Sequence, residues 1–526
     1  MTQFSKNDIK YYEDFFNNLD YIVVGSGPGG CATAKVLTDN DKIKVLMVEA
    51  GEDQDNNHLI KESYNAPLLE EEYYSKFFWT VPQVFQENAP EMSANYTNGR
   101  LFGGGSSVNG EQYVRGTPYY YDIISNQFND PDWNSENVKK LFTENFGIDK
   151  LIHTRISPFP ENENGRTIIN AMIETLNVKE IFDYNNFSQD YNLEDGVFTQ
   201  WNYYQNKDGT RCSSSTSILK SVLYNRNNFI ISPNSTVVKI LFLNNKAIGV
   251  SYYNNGNVNN IYCKKGVILC AGTQTNVILQ TSGIGNIDIL KQNNIPVIVD
   301  SPQVGNSLYN HLLVYTSINI DTEQKSSDDI NALYSFGGFL SEDNGTPRGS
   351  EWIGIDNNNG TMSIVILQLK PKSNGYCNVQ SKDYLTVPLV SEAALQDSSD
   401  KDWFINILKN KFAPTIRYLQ KTNPKYSFNS PCEDTFIGTD EEVYEKINEY
   451  IQSGNLEHAH HWTAQCKIGD NINNGVVNSD GKVYGCENLY VADTSIFPYP
   501  YDGNTAGLAY IIGFIIGQKL SNHIIK

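Results

Sequence analysis

Paired cysteines, a long apolar run and an excess of basic charge are all missing from this chain, and each absence removes a class of protein. The eight cysteines stand singly along 526 residues, with no CxxC among them. That excludes a zinc ribbon or a redox dithiol and leaves reduced, partly buried thiols as the expectation. No stretch reaches the roughly 18 apolar residues of a membrane-spanning helix. The nearest, Ala506–Gly517, reads as a buried helix. Met1–Leu19 has no basic start followed by an apolar run, so no export signal and an intracellular location are expected. Sixty acidic residues against 40 basic ones give a net charge of −20. Such a field repels nucleic acid, and no polynucleotide partner is expected. No repeat with a period of roughly 20–50 residues is visible, which sets aside solenoids and propellers.

What is present is enough apolar surface for large cores, with 40% hydrophobic and 12% aromatic residues. The length implies about two to four domains. The first unit is clear. Tyr21–Val24 is a β-branched run that reads as a buried strand, Gly25-Ser-Gly-Pro-Gly-Gly30 is a turn, and Cys31–Leu37 begins a helix of small residues. Lys44–Val48 is a second buried strand, ending on Glu49. This is one βαβ unit.

Gly25, Gly27 and Gly30 fit G-x-G-x-x-G between a strand and a helix, with an acid 19 residues on. In that pattern the first glycine permits the tight turn and the second lets a pyrophosphate approach the helix N-terminus. The third allows close packing of helix on strand. Glu49 is placed to accept hydrogen bonds from adenosine ribose hydroxyls, which disfavours NADP. The fingerprint alone does not separate FAD from NAD.

Farther on, Asn134–Asn145 and Glu441–Ser453 have helical spacing. Phe229–Ile231, Val237–Leu243, Ala247–Tyr253 and Gly266–Cys270 read as strands, with hairpin turns at Asn244-Asn245 and Asn254-Asn-Gly256. From about Ser317 to Asp440, short apolar runs alternate with Asn-, Ser- and Gly-rich turns, and no topology follows from the pattern. The whole fits an α/β nucleotide domain joined to a second domain.

Gly99-Arg-Leu-Phe-Gly-Gly-Gly-Ser-Ser-Val-Asn109, continuing to Arg115-Gly116, resembles the first signature of the glucose–methanol–choline (GMC) oxidoreductases. Its glycines and serines offer N–H and O–H donors to a pyrophosphate or a flavin edge. The resemblance implies cofactor contacts at Gly99, Arg100, Gly103, Gly104, Ser106, Ser107 and Asn109. Some relatives attach flavin to a histidine just before the final Asn. Here that position is Val108, which implies noncovalent FAD. Trp133, Gly209–Ser215 and Val237, which stands where the family makes adenine contacts, continue the resemblance in family order. Gly266–Thr273 with Leu279–Gly285 resembles the second signature, one residue short and with Asn276 where proline is usual. Val304–His311 resembles V-G-x-N-L-x-D-H, with Asn310 replacing the acid.

His461-Trp-Thr-Ala-Gln-Cys466 resembles the family's H-P-V-G-T-C, and Asn488–Ser495 with Phe497–Thr505 resembles its closing stretch. By that match His461 is the active-site histidine and Asn504 takes the second position. A neutral imidazole can remove a hydroxyl proton while hydride passes to flavin N5. Asn504 can hydrogen-bond the substrate oxygen but cannot take a proton. Thr505 and the helix after it are expected beside the flavin, with the helix's positive end near it. Asp493 resembles the residue beside the ribityl chain, a turn acid being the alternative. His458, His460 and His461 lack the Cys or second carboxylate that would complete a metal set, so no metal is expected.

The resemblance therefore implies an α/β chain with a Rossmann-like FAD-binding domain and a substrate domain built on a mainly antiparallel sheet flanked by helices. The former is expected to span residues 18–130, 205–310 and 475–526, the latter 131–204 and 311–474. The implied activity is FAD-dependent oxidation of a small-molecule alcohol, aryl-alcohol oxidase-like, with oxygen or a quinone as electron acceptor, in a monomer or homodimer. A hydroxynitrile lyase-like enzyme and a catalytically silent flavin-binding relative are the alternatives.

Overall fold

The computed structural model describes residues 15–62, 76–92, 95–157, 161–190, 195–326, 329, 331–341, 347–384 and 386–525. Most of the Met1–Leu19 segment thus lies outside the described residues. Strand β1 (Tyr21–Val24), helix α1 (Pro28–Thr38) and strand β2 (Val45–Val48) form the βαβ unit. Three later strands join it: β3 (Phe229–Ser232), β4 (Gly266–Leu269) and β5 (Leu489–Val491). Every pairing is parallel, in the order β5-β4-β1-β2-β3. All four residues of β1, β2 and β4 are buried, as a parallel sheet covered on both faces requires.

Helix α2 (Ala506–Ile525) packs along α1. The apolar run that suggests a buried helix is buried, with Leu508, Ile511, Ile512, Ile515 and Ile516 at 0% exposure. It is apolar nearly all round because neighbours surround it. Small residues let it approach α1: a Cβ on Gly513 would meet the Gly29 carbonyl and the Ala32 side chain. Thr33 Oγ1 donates to the Gly513 carbonyl at 3.1 Å across that contact. Among the described residues no helix is long and apolar enough to cross a membrane.

A three-stranded antiparallel sheet is built from Thr236–Leu243, Lys246–Asn254 and Asn257–Tyr262. Its hairpins turn on Asn244, Asn255 and Gly256, all at positive φ, where Asn and Gly are favoured. The third strand is an almost fully exposed edge of sequence Asn-Val-Asn-Asn-Ile-Tyr, too polar to show a strand pattern.

The region without a legible pattern contributes most of a second, antiparallel sheet. Its order is Ser427–Ser430, Leu312–Asn319, Thr361–Gln368, Ser350–Asp356, Phe336–Leu340, Gly196–Phe198, and Leu456–His458 also pairs with Leu312–Val314. Side chains alternate across it. Val314, Ile318, Ile364 and Ile366 pack in a core with Ile416 and Ile447 from the helices Ala413–Thr422 and Asp440–Tyr450. Leu313, Ile353 and Leu367 point the other way, towards a cavity between this sheet and the parallel one.

Candidate active site

That cavity holds about 1100 Å³ and runs from the β1–α1 turn to the face of the antiparallel sheet. It exceeds the roughly 300–1,000 Å³ of a single drug-sized ligand, and has room for a dinucleotide and a substrate together. At its inner end the glycines divide their work. A Cβ on Gly25, at φ 102°, would meet the Cys270 carbonyl, and one on Gly30 would meet the Gly25 carbonyl. Both positions are closed by packing. A Cβ on Gly27 would meet nothing within 4 Å: this residue faces open space. Gly27 is also the N-cap of α1 and supplies no side-chain cap, which leaves the first N–H groups of the helix for an anion.

The second glycine loop closes over the first. Gly104, at φ 52°, stands against the Gly27 backbone. Gly99, Gly104, Ser106 and Asn109 line the cavity together with Gly25, Gly27, Glu49, Val237, Asp493, Asn504 and Thr505. Arg100, Gly103, Ser107 and Gly30 lie behind that lining. The Arg100 guanidinium sits 4.9 Å from the Trp79 ring centroid. Gly103 N–H donates to Ser26 Oγ at 3.2 Å, and Ser107 Oγ donates to the Phe102 carbonyl at 2.6 Å. These residues shape the loop.

Glu49 is buried, and burial pushes its carboxyl pKa up. It accepts from Ser26 N–H and Ser26 Oγ, each at 2.8 Å, and from Gly51 N–H at 2.8 Å. A carboxylate offers about four acceptor positions; these three donors hold its own turn, and about one position is left on a residue that lines the cavity. Asp493 is engaged in the same way. It accepts from Gly272 N–H at 2.9 Å, Thr275 Oγ1 at 2.6 Å, and the N–H and Oγ of Ser495 at 2.9 and 2.5 Å. Its carboxylate caps this turn, while the residue itself lines the cavity wall.

The other end carries the titratable groups. The segment Leu456–Thr463 runs antiparallel to Tyr309–Val314, which puts Asn310 and His311 beside His461. His460 adopts φ 59°, a left-handed conformation uncommon outside glycine. It breaks the strand alternation, and His460 and His461 both face the cavity. His461 Nδ1 lies 3.0 Å from His311 Nδ1, with the rings edge to face. His461 Nε2 lies 3.3 Å from Asn504 Nδ2, which also donates to Gln112 Oε1 at 3.0 Å.

Burial, and then His460, pushes the His461 pKa down to about 3. Burial, and then His461, holds His311 well below the ordinary histidine range. Both rings are therefore neutral at neutral pH, and one N–H must lie between the two facing Nδ1 atoms. With that proton on His461, its Nε2 presents a lone pair to the cavity and accepts from Asn504. This is the tautomer a base needs, and His311 is the group that orients it. Three buried polar atoms in the wall, Thr273 Oγ1, Asn504 Oδ1 and Gln112 Nε2, have no hydrogen-bond partner among the described residues. Buried polar atoms are normally paired, and these fit a bound polar cofactor and substrate. Among the described residues no group of three or more His, Cys, Asp or Glu side chains is arranged to hold a metal ion.

Comparison with known proteins fits this geometry. A family profile described as GMC oxidoreductase matches residues 19–313, more than half the chain, and its C-terminal counterpart matches residues 371–513. The chain belongs to the GMC oxidoreductases. It is 26% identical to the oxygen-dependent choline dehydrogenase of Cronobacter sakazakii, over 96% of this chain and 94% of that one. It is 26% identical to a glucose dehydrogenase [FAD, quinone] of Drosophila pseudoobscura pseudoobscura, over 94% and 85%. Its fold matches pyridoxine 4-oxidase from Mesorbium loti with TM-score 0.84 at 18% identity, covering 95% and 99% of the two chains. A fungal aryl-alcohol oxidase gives TM-score 0.78 at 17% identity, covering 97% and 100%.

In this GMC oxidoreductase the departures from the family pattern are built into the structure. Asn276 is buried in the helix Thr275–Thr281, and its Nδ2 donates to the Cys377 carbonyl at 2.7 Å. Asn310 Oδ1 accepts the His461 backbone N–H at 2.7 Å. Several residues were not singled out from the sequence. His311 lies in a recognised motif, but its pairing with His461 depends on strands far apart in the chain. Arg211, inside the Gly209–Ser215 resemblance, is buried and donates to the Asn109 carbonyl at 2.7 Å and to Asn109 Oδ1 at 2.9 Å. It fixes the end of the glycine loop. Gln112, three residues past that loop, carried no signal.

Proposed function

We propose that this protein oxidises a small-molecule alcohol to the aldehyde or ketone, with noncovalently held FAD as its redox partner. The observation that carries this reading is the His461 Nε2–Asn504 Nδ2 pair, 3.3 Å apart on the wall of a cavity that begins at a helix N-terminus. When bound, FAD supplies the acceptor for the hydride that leaves the alcohol carbon. The α1 N-terminus at Gly27, the Gly99–Asn109 loop, Val237, Asp493 and the Thr505–Ala506 end of α2 would hold it. Val108, where some relatives carry the attachment histidine, has no nucleophile, which supports noncovalent binding.

A substrate hydroxyl seated between His461 and Asn504 replaces their mutual contact. It donates its proton to His461 Nε2 and accepts from Asn504 Nδ2. As the proton leaves, Asn504 N–H meets growing negative charge on oxygen, where a preplaced donor is worth most. The His311–His461 contact keeps the imidazole from rotating away. The positive end of α2 favours anionic character at this end of the cavity. Leu313, Ile353 and Leu367 offer an apolar wall to the rest of the substrate.

The names of the relatives point to oxygen or a quinone as the final electron acceptor, and turnover under oxygen compared with turnover on a quinone dye distinguishes them. The reading itself is tested by anaerobic bleaching of the bound flavin with a panel of alcohols. Bleaching supports it. Aldehyde release from a cyanohydrin with the flavin left oxidised would instead make the protein a lyase. Bound flavin that no alcohol reduces would make it a silent relative.

A further inference from the structure

Behind His461 lies a buried carboxylate that the reaction above does not use. Glu392 is 4% exposed. Its Oε1 accepts from Gln83 Nε2 and from Trp462 Nε1, both at 3.0 Å. Its Oε2 accepts from Asn310 Nδ2 at 3.1 Å. His458 Nδ1 lies 3.4 Å from Oε1, and burial pushes the His458 pKa down to about 4, so that ring is neutral. Two of these groups belong to the catalytic segment. Trp462 follows His461 directly, and Asn310 Oδ1 accepts the His461 backbone N–H at 2.7 Å.

The donor count makes the carboxylate necessary. Asn310 has one accepting and one donating end. To accept the His461 N–H with Oδ1 it must send Nδ2 towards Glu392, and only an acceptor can receive it there. The other oxygen of Glu392 meets two more donors, from Gln83 and Trp462. No neutral amide at 392 satisfies both sides: an NH₂ group would face either Asn310 or the Gln83–Trp462 pair. If Asn310 turned over to relieve the first conflict, its Nδ2 would face the His461 N–H, moving the conflict onto the catalytic backbone. Burial raises the Glu392 carboxyl pKa to about 7, with the Trp462, Asn310 and Gln83 donors opposing that rise.

We propose that Glu392 is a positioning residue for His461, acting through the Asn310 amide and the Trp462 indole, and that it carries here the acid which the family pattern places at 310. The pairing makes a specific exchange of roles available. With an aspartate at position 310 and a glutamine at position 392, one aspartate oxygen accepts the His461 N–H. The other accepts an N–H of the glutamine amide, whose oxygen keeps Trp462 and Gln83. Every hydrogen bond is restored with the acid moved by one partner. The proposal rests on the functional reading above, with His461 as the base.

The test compares the flavin-loaded wild type with Glu392→Gln and the double variant Asn310→Asp/Glu392→Gln. Three quantities are measured: the limiting rate of anaerobic flavin reduction, the FAD content, and hydrogen exchange at the His461 amide. Glu392→Gln is expected to lower the limiting rate about 10- to 100-fold, the cost typical of a slightly misplaced catalytic group, with FAD retained and the His461 amide exchanging faster. The double variant is expected to recover both. A wild-type rate in Glu392→Gln, or a double variant no better than the single one, overturns the proposal. A loss of rate in step with lost FAD, not recovered by the exchange of roles, marks a merely structural residue and also overturns it. If no alcohol reduces the wild type, the functional reading fails by itself. The amide exchange still decides the Glu392 proposal: protection lost in the single variant and regained in the double supports it, and protection unchanged in the single variant refutes it.

Discussion

At the scale of residues, the proposed base is one imidazole, His461, whose acid–base behaviour is set by burial. His461 is held near pKa 3, so it stays unprotonated from mildly acidic pH upwards, and flavin reduction should show no His461 limb between pH 6 and 8. Asn504 cannot take its place as a base. Asn504→Ala should cost about 10²–10³ in the limiting rate, as loss of one oxyanion donor does, while substrate affinity changes far less. Stopped-flow reduction at saturating alcohol separates the two quantities. His458 gives a stability prediction. Its unfolded pKa is about 6.5 and its folded value about 4. Its contribution is therefore intact above pH 6.5 and is lost as pH falls towards 4. Glu392, raised to about 7, acts in the opposite sense: its contribution is intact below the unfolded carboxyl pKa and is lost as pH rises through 7. Replacing His458 by Phe should reduce the stability lost between pH 7 and pH 5 by about 2 kcal/mol relative to wild type. Urea unfolding at the two pH values checks it.

At the scale of elements, the β1–α1 turn shows which glycines serve the chain and which serve a ligand. A Cβ on Gly30 runs into the Gly25 carbonyl, and a Cβ on Gly27 points into the cavity. Gly30→Ala should therefore destabilise the protein by about 1–3 kcal/mol, the range for overpacking. Gly27→Ala should leave the melting temperature of the apoprotein unchanged and weaken FAD binding. Thermal melts with and without added FAD distinguish them. This unit was legible in the sequence because a parallel strand buried on both faces shows as a short β-branched run, and because the turn needs its glycines. The antiparallel sheet was not. Its strands lie between Asn-rich turns, and only the order of pairing, which brings Leu456–His458 beside Leu312–Val314, explains why His311 meets His461. Asn257–Tyr262 was missed for a simpler reason: an exposed edge strand has no core face to write into its sequence.

At the scale of the molecule, residues from both ends of the chain and its middle converge on one cavity between two sheets. We propose that these sheets mark the two discontinuous domains expected from the family resemblance. Among the described residues lining the cavity none is Lys or Arg, and Glu111 and Glu457 are among the acids there. Together with a net charge of −20, this predicts poor turnover of alcohols bearing a carboxylate or phosphate. Their kcat/KM should lie about tenfold or more below that of a neutral analogue of equal size, since a buried anion without a partner is costly. Matched pairs such as an aryl alcohol and its carboxylated counterpart test it. The motifs made His461 and Asn504 legible because they lie in contiguous signatures. Gln112 was illegible because its hydrogen bond reaches Asn504, 392 positions away, and Glu392 because the partners it acts through, Asn310 and Trp462, lie 82 and 70 positions away. The role of His461 is tested by anaerobic flavin reduction followed in wild type and His461→Ala, both loaded with FAD. The wild-type flavin is expected to be bleached by at least one neutral alcohol, and the variant's to be reduced about 10²–10⁴-fold more slowly, with its FAD still bound. A wild-type flavin that stays oxidised with every alcohol, or a variant that reduces at the wild-type rate, would contradict that role.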